Sequence, residues 1–169
     1  MKPGIGVWIA LLAALLATGA LAMKVSAFTL STVPVTFPGT TLNGADTTSS
    51  TSGGTWQADG QGLNQPWHIN VSSTDFTNAA SNTIAVSNFE IRLLDSSIVV
   101  ASGPPNPKPS STQTTFIALS GTDVKIASAT PAGGNNVYDL TPDFRLTVPA
   151  ETYTGDYTAT VTITIAAGP

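Results

Sequence analysis

The side chains able to handle protons near neutral pH are few in this 169-residue sequence: one histidine, His68, and ten acids, of which only Glu90 and Glu151 are glutamates. A nucleophilic triad needs a serine within reach of a histidine that an acid orients. The sequence holds no Gly-x-Ser-x-Gly elbow, and His68 falls on the polar side of an alternating stretch. With no cysteine and one histidine, zinc would need three carboxylates. Calcium asks only for oxygen ligands. Asp139 and Asp143 around Thr141-Pro142, and Glu151 and Asp156 around the last turn, are the candidates, without EF-hand or nonapeptide spacing. Acids and amides at such places also serve turns. A glycosidase would need two carboxylates facing across a cleft, and nothing around Glu90 or Glu151 marks them as such a pair. No cofactor is expected. Asn70-Val71-Ser72 has the form of a glycosylation sequon, but alternation places Asn70 in mid-strand.

What must hold these residues is a sheet. Pro66 to Ser72 alternates Trp67, Ile69 and Val71 against His68, Asn70 and Ser72. Asp143 to Val148 turns Phe144, Leu146 and Val148 inward. Tyr157 to Ala166 sets Tyr157, Ala159, Val161, Ile163 and Ile165 against a row of threonines facing water. Phe28 to Phe37 reads as a strand that Pro34 confines to an edge. Thr55 to Asp59, Ile84 to Leu94 with a phase slip at Ser87-Asn88, Ile98 to Ala101, Thr114 to Leu119 and Val124 to Ala127 are further strands. Phe76 caps the core. Pro38 to Gly54 reads as a loop, and Gly103 to Ser111, with four prolines, as a stiff extended loop. No helical periodicity occurs beyond the N-terminal segment. The expected fold is all-β, a single antiparallel β-sandwich over residues 28–169.

Residues 1–27 read separately. Met1-Lys2, an apolar run over Ile5 to Ala17, and Ala20-Leu21-Ala22 or Val25-Ser26-Ala27 as cleavage sites have the layout of a secretory signal peptide. The alternative is a retained apolar helix; Ile5 to Met23 is barely long enough to span a bilayer core of ~30 Å. The expectation is a secreted or cell-surface protein.

Composition narrows the partners. Charged residues make up 9% of the chain, with a net charge of −4. Between Phe28 and Pro169 stand 25 Thr and 15 Ser, so 25 + 15 = 40 of 142 residues carry a hydroxyl. Six Lys and Arg in all are too few to displace counterions from a phosphate backbone, which excludes nucleic acid. A mean hydropathy of +0.19 excludes charge-driven disorder.

Two segments carry a resemblance. Thr55 to Thr77 (TWQADGQGLNQPWHINVSSTDFT) resembles the first motif of the WxL surface domains, through Asp59, Gly60, Gly62, Trp67, His68 and Phe76, with Ile69 in the Leu position. Gly155 to Pro169 (GDYTATVTITIAAGP) is similar to the terminal motif through Tyr157, Thr160, Thr162 and Pro169, with Ile163-Thr164-Ile165 where the second Trp-x-Leu would stand. The approach Leu146 to Ala150 also fits. The resemblance implies a non-catalytic, β-rich module held at the cell surface through peptidoglycan or partner surface proteins. It makes Trp56, Trp67, His68 and Tyr157 the candidate binding residues. For Trp56 and Trp67 the competing role is core packing, which alternation favours. The remaining alternative is a filament or pilus subunit that pairs with copies of itself through edge strands, with Phe28 to Phe37 as the docking segment.

Overall fold

The structure is a computed structural model that describes residues 27–105 and 107–168. The signal-peptide expectation falls on residues outside that range, apart from Ala27. Among the described residues no helix is long and apolar enough to cross a membrane.

The fold is all-β and antiparallel. In chain order the strands are β1 (Thr29–Ser31), β2 (Thr47–Ser52), β3 (Trp56–Asp59), β4 (Trp67–Ser73), β5 (Phe76–Thr77), β6 (Thr83–Ile84), β7 (Phe89–Arg92), β8 (Ile98–Ser102), β9 (Ser110–Ser111), β10 (Ile117–Ala118), β11 (Val124–Ala129), β12 (Val137–Leu140), β13 (Asp143–Val148) and β14 (Val161–Ala167). They form three four-stranded sheets, ordered β1-β3-β12-β8, β10-β7-β13-β2 and β14-β4-β11-β9, with a small β5-β6 pair.

Alternation sets which side chains meet. On β4, Trp67, Ile69, Val71 and Ser73 are buried while His68, Asn70 and Ser72 are half-buried on the other side. On β13, Phe144 and Leu146 point in. These faces, with Trp56 and Ala58 of β3, Phe89 and Ile91 of β7 and Tyr138 and Leu140 of β12, close one continuous apolar core. Phe89 is its aromatic centre. Its ring stacks on Phe144 at 5.2 Å and meets Phe76 edge-on at 5.1 Å.

The threonines of the last strand face out as the alternation requires. Thr162 and Thr164 are exposed on β14, and Thr158 and Thr160 precede it in the same phase. The strand itself is shorter than expected, starting at Val161. Before it, Thr158 bridges to Thr77, and the Thr160 carbonyl accepts from the Thr74 amide. The phase slip at Ser87-Asn88 is a short 3-10 turn, Val86–Asn88, that separates β6 from β7.

Three expectations need correction. The stretch from Pro38 to Gly54, read as a loop, contains β2, which runs the full length of β13 from Thr47↔Val148 to Ser52↔Asp143. Its half-buried positions are Thr47, Ser49 and Thr51, so no apolar rhythm announces it. In the other direction, the strand expected over Phe28 to Phe37 stops at Ser31. It does lie at a sheet edge, as Pro34 required. Beyond it, Pro34 and Pro38 lack the N–H that a ladder needs. Finally, β12 was not anticipated. It is a central strand, flanked by β3 and β8, with two inward residues, Tyr138 and Leu140.

The two ends of the described chain meet at one pole. Phe28 lies edge-on to Trp67 at 6.5 Å. Gly168 N–H donates to the Pro66 carbonyl at 2.9 Å.

Candidate binding groove

The candidate residues separate by depth. Trp56 and Trp67 are both fully buried. This is the core-packing alternative, and neither ring offers a face on which a sugar could stack. Trp67 Nε1 donates to the Gly134 carbonyl at 3.3 Å, and its ring lies 6.1 Å from Tyr138. Trp56 packs on Phe144 at 6.1 Å, and its Nε1 has no hydrogen-bond partner.

His68 stands half-buried on the outer side of β4, between Ser128 of β11 and Ala166 of β14. Its Nδ1 is 3.0 Å from the Gly168 carbonyl oxygen. A carbonyl can only accept, so Nδ1 carries the hydrogen and the ring ties down the end of β14. Tyr157 is half-buried, and its hydroxyl donates to the Tyr153 carbonyl at 3.0 Å. Tyr153 itself is 69% exposed.

Tyr157 and Trp56 belong to one groove of about 1090 Å³. One wall is the unladdered segment from Thr32 to Leu42. The other runs from Thr152 to Ala159 and continues along β14 through Val161 and Ile163. Core residues Phe89, Phe144 and Leu146 lie behind it. Asp156 is the one charged residue in its lining. Such a groove suits an uncharged, partly apolar occupant.

Two of the candidate calcium ligands are engaged in side-chain hydrogen bonds. Asp143 accepts from Arg92 Nε at 2.9 Å, and Asp139 from Gln57 Nε2 at 3.1 Å. Among the described residues no three His, Asp or Glu side chains converge as metal ligands. Glu90 is bound twice by Arg145. The Glu90 hydrogen bond, more than any charge attraction, raises the Arg145 pKa above its ordinary value, and partial desolvation opposes it.

Sequence reasoning missed the cluster these pairs create. Arg92 and Arg145 share the outer face of the second sheet, and the Phe116 ring lies over both guanidinium carbons, at 4.6 and 4.3 Å. The only signal was same-face parity on β7 and β13, useless until their register is known.

The edges are the other feature missed. The six outer strands of the three sheets are β1, β8, β10, β2, β14 and β9. None carries a charged residue. Sheet edges are ordinarily guarded by Lys, inward charge or Pro, because open N–H and C=O groups template pairing with another chain.

No family model and no curated protein matches the chain. Among solved structures it is similar to a family 123 glycoside hydrolase from Clostridium perfringens, at 17% identity, with 73% of this chain covered and a TM-score of 0.39. The match spans 18% of that enzyme's length. At that level the likeness carries no argument about fold or activity.

Proposed function

We propose that this protein is a secreted, non-catalytic module of the cell surface that associates with the envelope through peptidoglycan or a partner surface protein. The observation that carries this reading is the character of its outer faces. They carry rows of hydroxyls, Thr158, Thr160, Thr162 and Thr164 along the last strand and Thr48, Ser50 and Ser52 along β2, and the charges beside the β2 row are neutralised in the Arg92–Asp143 and Arg145–Glu90 pairs. Hydroxyls both donate and accept, which matches the hydroxyl and amide groups of a wall glycan. Beside the first row lie the exposed Tyr153 ring and the groove, whose lining holds a single acid, Asp156. The resemblance to WxL domains supports the same reading. The test is co-sedimentation with purified peptidoglycan and with whole cells. Binding released by denaturant without protease is the expected result; protein that stays in the supernatant with both sinks the reading. Mass spectrometry of the mature N-terminus checks the secretion step.

A second reading is favoured by the charge-free edges. The chain is a structural subunit that assembles with copies of itself by strand pairing. Negative-stain microscopy of shed surface material distinguishes them, because the envelope module gives dispersed particles and the subunit gives filaments.

A further inference from the structure

The first described segment, Ala27 to Leu42, is an arm laid over the body of the domain and weakly fastened to it. Its only ladder is the three-residue pairing of β1 with β3, Thr29↔Asp59 to Ser31↔Gln57. From Thr32 to Leu42 no backbone hydrogen bond ties it to the rest of the described chain. What seats it is apolar contact: Phe28 on Trp67, and Phe37 edge-on to Phe89 at 6.0 Å. Val33, though 45% exposed, lies over Gly54.

The arm ends in a stretch able to swing. Gly39 and Gly44 flank it, neither with any atom near enough to touch an added Cβ, and Gly44 has φ 79°. The arm carries no charge, and the groove of which it forms one wall has a single acid in its lining. A second copy, although acidic overall, therefore meets no repulsion at this seat.

We propose that the arm exchanges between copies: Ala27 to Phe37 of one molecule pairs with the β3 edge of another and takes the place of that molecule's own arm as the groove wall. Every contact made within one chain is remade between two, so exchange costs little beyond association. This rests on the second functional reading, whose docking segment it shares, and deepens it by naming the seat and the exchange. The two separate cleanly. Closed, arm-swapped dimers leave the exchange standing and the filament fallen. Filaments without arm exchange do the reverse.

The test places cysteines at the exposed pair Ser31 and Gln57, as S31C/Q57C, in the protein recovered from cells expressing the whole sequence. The chain has no other cysteine. After oxidation at rising protein concentration, exchange gives covalent dimers and higher bands on a non-reducing gel, and oxidation at single-chain mass alone overturns it. A second variant, deleting Gly39 to Gly44, shortens the connection that lets the arm fold back on its own body. Light scattering should show its mass doubling or more. A shortened chain that stays monomeric with the parent's circular dichroism overturns the proposal, whether or not the disulfide forms.

Discussion

Arg145 grips Glu90 directly across the β7-β13 pair, with Nε 2.6 Å from Oε2 and Nη2 2.8 Å from Oε1. This two-point geometry is one that lysine cannot reproduce. Among the described residues it and Arg92–Asp143 are the only ion pairs. Both are partly exposed, so each contributes little to stability. Arg145→Lys should lower the thermal midpoint slightly, with the loss shrinking as sodium chloride is raised. A loss independent of salt would show that Arg145 acts through its contact with Phe116 instead. Because the Arg145 pKa is raised, its own contribution is fully present below the ordinary arginine range and is lost only as pH rises beyond it.

Tyr138 makes an alkaline limit. Its side chain is fully buried, its hydroxyl donates to the Gly133 carbonyl, and burial raises its pKa, with Asn136 opposing more weakly. The folded state thus holds the phenol proton more tightly than the unfolded chain. The resulting stability is present below the unfolded pKa of about 10 and is lost as pH climbs toward the higher folded value. Tyr138→Phe should cost about 1 kcal/mol at pH 7, from the orphaned carbonyl, and flatten the decline above that range. Urea melts at pH 7 and across the alkaline range check both.

Phe89→Ala empties the aromatic centre. Loss of contacts to Phe37, Phe76 and Phe144 should destabilise the domain by about 3–5 kcal/mol. Denaturant unfolding measures it. A loss near 1 kcal/mol would mean the arm and β5 collapse into the space.

Thr162→Lys with Thr164→Lys restores the guard that the last strand lacks. Both positions are exposed, so stability should stay within about 0.5 kcal/mol. Self-association should drop if copies pair along this edge. Sedimentation velocity of parent and variant at matched concentration decides it, and unchanged association moves the contact to another edge.

Much of this architecture could be read from residue order, and the unread parts share a cause. β4, β13 and β14 were legible because their inward positions are apolar and their outward ones polar. β2 was not, because Thr47, Ser49 and Thr51 fill its inner side. β12 offers two inward residues, too short a rhythm to register. The groove brings Val33, Phe89, Phe144 and Tyr157 together from four distant stretches, and only strand order does that. Likewise Glu90 and Arg145 lie 55 positions apart, and no local pattern links them. The depth of Trp56 and Trp67 was half legible: alternation pointed both inward, while the motif resemblance offered them as contact residues.

The meeting of Phe28 and Gly168 near Trp67 and Pro66 has a mechanical meaning. A chain held at both of these points is loaded at one pole, so tension does not run through the length of the sandwich. Pulled there, β14 would come away from β4 one hydrogen-bonded pair at a time, starting from the Ala167↔Trp67 end. That is the low-force mode for an antiparallel pair. The latch resisting it is small: the Gly168 amide on Pro66 and the His68 ring on the Gly168 carbonyl. The lone histidine of the chain thus sits at the first point where the domain would yield under load.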